Sequence, residues 1–114
     1  MIIAVQGSKT FDNYETFMRA MGVAMSGLKD KNVEVWSVGP YRVNSFTASF
    51  CNSGENFLKS QGISIRFSKV AAKFIERNLN KIDYFAYVCN PHESISSLTA
   101  QADLANIEVG VFRY

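Results

Sequence analysis

Three short polar segments of the sequence carry side chains suited to binding an anion. They span residues 6–10, 39–45 and 90–97, and each follows a short apolar run and leads into a helical pattern. The start of a helix offers backbone N–H groups without intrahelical partners and a partial positive charge, which suit a phosphate or a carboxylate. Lys9 and Arg42 add positive charge for the same ligand. The predicted ligand-binding residues are Gly7, Ser8, Lys9, Gly39, Tyr41, Arg42, Asn44, Ser45, Ser94 and Ser96.

Helix capping is the simpler interpretation of several of these side chains. Ser, Thr and Asn before a helix commonly accept a hydrogen bond from an N–H group of its first turn. The sequence also lacks the phosphate-binding signatures GxxxxGK[ST] and GxGxxG. Tyr41 stands apart from the polar residues, because an aromatic ring beside a phosphate-binding loop can stack on a base. The three segments therefore predict a ligand site, with capping as the alternative for each hydroxyl.

His92 and Glu93 are the candidate catalytic residues. His92 is the only histidine, and an imidazole can transfer protons near neutral pH. An exposed histidine without a partner is the alternative interpretation. Two cysteines far apart in the sequence, Cys51 and Cys89, do not provide the roughly four closely spaced ligands of a zinc site. The sequence therefore predicts no metal and no cofactor.

The segments alternate with patterns typical of strands and helices. Four helical patterns are predicted at about residues 14–28, 45–60, 69–80 and 95–105. The first places Leu28 last on its apolar face, and Asp12 followed by Glu15 predicts its capped start. Short apolar runs predict the strands Ile2–Val5, Val33–Val38, Ile63–Phe67, Tyr84–Val88 and Val109–Phe112.

The alternation predicts a single α/β domain over residues 1–114. Strands that are apolar at consecutive positions are buried on both faces, as in a parallel sheet covered by helices. Strand–helix–strand units join parallel strands through right-handed crossovers. We therefore expect a three-layer α/β/α Rossmann-like sandwich with a five-stranded parallel sheet. In such sheets ligands bind beyond the carboxyl ends of the strands, where the strand order reverses, and the three polar segments lie at those ends.

Composition excludes several classes of protein. The chain of 114 residues is 47% hydrophobic and 19% charged, which is typical of a globular domain with a core. Its apolar runs are far shorter than the ~20 residues of a membrane-spanning helix. A net charge of +2 is too small to indicate nucleic acid as a partner. The start of the sequence does not match a signal peptide, so we expect a cytoplasmic protein with reduced thiols.

The order of these motifs resembles the SLOG superfamily. Residues 7–11 (GSKTF), with Tyr14 opening the next helix, resemble the "GSR-x-F-x-x-Y" start of its small YspA-like members. Residues 39–45 stand where the family has GGARGAD and keep one glycine, the arginine and a polar cap. Residues 91–96 stand where it has PGGxGT and keep the proline and the final hydroxyl, but none of the glycines.

The resemblance implies a Rossmann-like fold that binds a nucleotide or nucleotide-derived ligand, often as a homodimer. Small proteins of this kind occur in bacteriophages, which implies an accessory protein that senses or sequesters its ligand in the host cytoplasm. The related LOG phosphoribohydrolases use a glutamate after the glycine loop, whereas Glu93 lies within the loop here. One alternative is therefore an N-glycosidic or phosphoribosyl hydrolase that uses Glu93 or His92. The other is a protein-interaction module that has lost ligand binding.

Overall fold

The computed structural model describes residues 1–27 and 30–114, and in these ranges strands and helices alternate along the chain. Leu28, predicted to end the apolar face of the first helix, lies outside the described residues. In the part of the chain that is described, no helix is long and apolar enough to span a membrane. The elements are β1 Ile2–Gly7, α1 Tyr14–Ser26, β2 Asn32–Val38, α2 Tyr41–Ser60, β3 Ser64–Val70, α3 Ala72–Arg77, a 3-10 turn Leu79–Lys81, β4 Tyr84–Cys89, α4 Ser97–Leu104 and β5 Glu108–Arg113.

The five strands form one sheet in the order β3-β2-β1-β4-β5, and every pair is parallel. The chain builds outward from β1 to β3, then crosses to the other side of β1 to add β4 and β5. The fold class predicted from the sequence is therefore confirmed. Because the order reverses between β1 and β4, the carboxyl ends of these two strands flank the crevice where parallel sheets bind ligands.

The core consists of two apolar layers, one on each face of the sheet. Alternate residues of β1 point into different layers, with Ile3 and Val5 in one and Ala4 in the other. The first layer also contains Phe17 from α1, and the second contains Leu98 from α4. Side chains of successive strand residues point to opposite faces, so helices on both faces are needed to cover them.

The strand predicted at Ile63–Phe67 differs most from expectation. The structure begins it one residue later and extends it to Val70, and β3 is an edge strand whose residues alternate largely between half-buried and exposed. Ile65 and Phe67 pack on the α2 side, while Arg66 between them is exposed. β3 is therefore covered by a helix on one face, and the backbone N–H and C=O groups along its outer edge have no partner strand.

Helix boundaries also depart from the predicted ones. α2 begins at Tyr41 and not at about Ser45, because Pro40 takes the N-cap position directly before it. The helix predicted from Lys69 is shorter, since β3 takes its first residues and only six residues remain in α3. The fourth helix begins after Ser96 and not at Ile95.

The cap of α1 is Asn13 and not Asp12. The Thr16 backbone N–H donates to Asn13 Oδ1 over 2.8 Å. The predicted capping arrangement was therefore shifted by one residue. Asp12 is left exposed in the loop after β1, where its carboxylate can contact a neighbouring segment.

Candidate functional site

The loops that follow β1 and β4 lie side by side at the carboxyl edge of the sheet. Ser8 Oγ donates to Glu93 Oε1 over 2.6 Å, and Asn90 Nδ2 donates to Thr10 Oγ1 over 2.6 Å. The Ser8 backbone N–H also donates to the carbonyl of Val88 in β4 over 2.9 Å. Both sides of the crevice are thus joined by hydrogen bonds between residues about 80 positions apart in the sequence.

Glu93 brings a carboxylate into this crevice. Besides Ser8, its Oε1 accepts from the Asn90 backbone N–H over 2.8 Å. The hydrogen bond from Ser8, followed by the one from Asn90, lowers the pKa of Glu93 below its usual value. Hydrogen bonds to the charged form favour that form, so Glu93 is ionised at neutral pH. An internal anion therefore occupies donors that the sequence analysis assigned to a ligand.

The loop after β2 reaches the same edge through α2. Arg42 Nε lies 3.3 Å from Asp12 Oδ1, which links the first turn of α2 to the loop after β1. Both side chains are more than half exposed, so the ion pair is worth little as a stabilising contact. The three polar segments predicted from the sequence therefore meet at one edge of the sheet.

The start of α2 is open to an anion. Pro40 occupies the N-cap without an acceptor for the N–H groups of the first turn, and no side chain caps this end in the described part of the chain. The turn contains Arg42 and no acidic residue. Unpaired N–H groups and the helix dipole favour negative charge at this position. α2 is also the longest helix described, with 20 residues.

Gly7 lets the first turn of α2 approach the end of β1. A Cβ atom on Gly7 would lie 2.8 Å from Cβ of Val43, which is fully buried. Carbon atoms without a bond between them are separated by about 3.5–4.0 Å at their optimum. The close approach therefore requires glycine, and it holds the N–H groups of the first turn beside β1.

A buried chain of hydroxyls fixes the orientation of Asn44. Ser37 Oγ donates to Asn44 Oδ1 over 2.6 Å, and Thr47 Oγ1 lies 3.3 Å from Ser37 Oγ. Ser37 and Thr47 are fully buried. Because Ser37 occupies the amide oxygen, the Nδ2 group of Asn44 is the part left to donate to a ligand. Sequence reasoning missed this pair, although Ser37 is a polar residue inside an apolar strand.

The remaining predicted residues have mixed roles. Ser96 caps α4, since its Oγ accepts from the Thr99 N–H over 3.1 Å and donates to Gln6 Oε1 over 2.5 Å. Ser94 contributes its backbone carbonyl, which lies 3.4 Å from the Tyr87 hydroxyl. Lys9, Tyr41 and His92 are exposed, while Gly39 joins β2 to α2 and Ser45 lies in α2.

Basic side chains outnumber acidic ones at the carboxyl edge, as counted over the described residues. Each lies in the last two residues of a strand, in the loop that follows it, or in the first turn of the next helix. Such an excess raises the local potential and attracts anionic ligands. The basic residues are Lys9, Arg42, Lys69, Lys73 and Arg113, and the acidic ones are Asp12, Glu15 and Glu93.

The Glu93 contact predicts a specific pH dependence of stability. A pKa lowered by folding stabilises the protein above the ordinary value of 4.5, and this contribution is lost as the pH falls through the folded value. We therefore expect Glu93→Gln to be less stable than the wild type at pH 7, with the difference vanishing well below pH 4.5. Urea unfolding over this pH range measures it, with Glu76→Gln on α3 as the control. A difference independent of pH would contradict the contact.

Comparisons of the chain with protein-family models, with curated proteins and with solved structures found no match. The resemblance to the SLOG superfamily therefore stays a prediction. The geometry of the carboxyl edge is what remains to support a function.

Proposed function

We propose that this protein binds a nucleotide or nucleotide-derived ligand at the carboxyl edge of its sheet, with the phosphate at the start of α2. The start of α2 carries the proposal. It has no side-chain cap, and Arg42 in its first turn contacts Asp12 in the loop after β1. Backbone N–H groups and a guanidinium are the donors that phosphate oxygens accept from most strongly. The basic excess at this edge favours the same ligand.

The position of Glu93 favours the start of α2 over the crevice between β1 and β4 as the phosphate site. Ser8 Oγ and the Asn90 N–H already donate to the Glu93 carboxylate. A phosphate in that crevice would have to compete with Glu93 for these donors, whereas at the start of α2 it would displace only the exposed Asp12 carboxylate from Arg42. We therefore assign the phosphate to Arg42 and Lys9.

Binding without turnover is the proposed activity, in a cytoplasmic protein that senses or sequesters its ligand. The resemblance to the SLOG superfamily supports this role and a phage accessory protein as the context. The loop 91–96 has none of the glycines of that family's fourth motif. Side chains in their place add bulk where a phosphoribosyl group would approach, which disfavours phosphoribohydrolase activity.

Arg42→Ala is the direct test of the phosphate position. A hydrogen bond to a charged group contributes about 1.5–3 kcal/mol, so we expect the Kd for nucleotides to rise at least ~10-fold. Isothermal titration calorimetry with AMP, NAD and a cyclic dinucleotide measures it. Arg77→Ala is the matched control, because Arg77 is exposed in the last turn of α3 at the opposite edge. Equal affinities for both variants, or no binding by the wild type, would overturn the proposal.

Hydrolysis of an N-glycosidic or phosphoribosyl bond is the second candidate function. The ionised Glu93 carboxylate in the crevice favours it, because such a group can act as a base or stabilise positive charge on a sugar. Release of free base from a nucleoside monophosphate by the wild type, and its loss in Glu93→Gln, would establish this activity. A catalytically inert, folded sample would exclude it.

Self-association is part of the proposal. β5 is an edge strand, and Val111 within it and Tyr114 directly after it are exposed. Exposed apolar groups beside an open strand edge favour pairing with a second copy. Sedimentation equilibrium at micromolar concentration distinguishes a homodimer from a monomer.

A further inference from the structure

A groove lies between α2 and the edge strand β3 and opens at the carboxyl edge of the sheet. Its volume is about 210 Å³. It is distinct from the crevice between β1 and β4, because β3 is two strands away from β1. Half-buried Phe67 provides an apolar wall, and Lys69 adds a positive charge. The lining residues are Tyr41, Asn44, Ser45, Ala48, Phe67 and Lys69.

Tyr41 is the most exposed aromatic residue of the described chain, with 80% of its surface accessible. A tyrosine at the first position of a helix buries little surface there and contributes little to the core. Its ring lines the mouth of the groove, one residue before Arg42. A planar aromatic ring beside an anion site can stack on a base, and such contacts contribute about 1–3 kcal/mol per base.

Asn44 gives the groove a directed hydrogen-bond donor. The buried Ser37 holds its amide oxygen, so the Nδ2 hydrogens are the part available to a ligand. Ring nitrogens and carbonyl oxygens of a heteroaromatic base accept such hydrogen bonds. Burying Ser37 and Thr47 beside an apolar sheet costs free energy unless both are hydrogen-bonded. The hydroxyl chain therefore positions one side chain that lines the groove.

We propose that this groove binds the base of the ligand, so that the ligand is a mononucleotide whose base lies along Tyr41 and beside Asn44. The inference rests on the proposed function for the phosphate, which lies at the same end of α2. Residues 41–48 span about two turns of helix, or roughly 10 Å. One helical segment thus holds both ends of the ligand, with the sugar between them.

A sugar phosphate without a base separates the two proposals. Calorimetric titration compares AMP, GMP, CMP and UMP with ribose 5-phosphate, for the wild type, Tyr41→Ala and the exposed-aromatic control Phe57→Ala. We expect at least one nucleotide to bind ~10-fold more tightly than ribose 5-phosphate. Tyr41→Ala should remove that advantage and leave ribose 5-phosphate binding unchanged, and Phe57→Ala should change neither.

Two results would overturn the base-binding groove. In the first, no nucleotide binds more tightly than ribose 5-phosphate, which leaves the phosphate site intact but removes the base subsite. In the second, Tyr41→Ala weakens ribose 5-phosphate and the nucleotides equally, which assigns Tyr41 to the phosphate. Absence of binding by any of the five compounds, with the wild type folded, would remove the proposed function itself. Thermal unfolding of each variant verifies that it is folded.

Discussion

Phe11→Ala is expected to lower the free energy of unfolding by about 4 kcal/mol, within the range for truncating a buried phenylalanine. Phe11 belongs to the loop after β1, yet only 1% of its surface is exposed. Its ring meets those of Phe46 and Tyr114 edge-on, with centroids 6.3 Å away in both pairs. The loop that carries Ser8 and Lys9 is therefore anchored in the core, and the substitution loosens the site along with the fold.

Guanidinium unfolding measures this loss, and Phe57→Ala is its matched control. Phe57 is 68% exposed on α2, so its removal leaves no cavity, and alanine is the better helix former. We expect the control to be within about 0.5 kcal/mol of the wild type. A Phe11→Ala variant as stable as the control would mean that the loop is not packed into the core.

Gly7→Ala is expected to cost about 2 kcal/mol and to weaken nucleotide binding. The added methyl group would overlap Val43, which is fully buried in the first turn of α2. Cβ of Val43 is bonded directly to the backbone, so rotating the side chain does not relieve the contact. The helix start must move instead, and overpacking of this kind costs about 1–3 kcal/mol. In the proposed site the N–H groups at the start of this helix bind the phosphate, so affinity should fall with stability.

Gly39→Ala is the control for the Gly7 substitution. A Cβ atom on Gly39 meets nothing within 4 Å, and Gly39 lies at the same edge of the sheet. We expect its unfolding free energy to stay within about 0.5 kcal/mol of the wild type. Thermal unfolding of both variants, followed by titration with AMP, compares them. Equal stability of Gly7→Ala and Gly39→Ala would contradict the close approach of α2 to β1.

The strands and the layers could be predicted from the sequence because their signals are local. Runs such as Tyr84–Val88 are apolar at every position, and that pattern arises only where both faces of a strand are covered. Ile63–Phe67 alternates apolar and polar residues, the pattern of a strand covered on one face, but the sequence does not give its position in the sheet.

The start of α2 could not be placed from the sequence because two signals conflicted. The resemblance of residues 39–45 to the family's GGARGAD motif favoured a loop that enters the helix at about Ser45. Pro40 favoured a helix start, since proline is compatible with the first turn of a helix and not with its interior. The structure follows the proline, and Tyr41, Arg42 and Asn44 project from a rigid helix instead of a loop.

The contact between Ser8 and Glu93 depends on strand order and is invisible in the sequence. The two residues are separated by 85 positions and meet only because β4 pairs with β1. The groove also depends on strand order, since Phe67 and Lys69 lie beside α2 only because β3 pairs with β2 at the edge of the sheet. The sequence predicted which loops lie at the carboxyl edge, and the strand order determines which of those loops are in contact.

NMR titration of the ¹⁵N-labelled protein with AMP locates the proposed phosphate site at the start of α2. We expect the largest amide shifts at Tyr41 and Arg42, whose N–H groups would donate to the phosphate. Shifts centred on Asn90 and Glu93, or on the opposite edge of the sheet, would contradict that placement. A spectrum unchanged at saturating AMP and equally unchanged with the other nucleotides would contradict binding altogether.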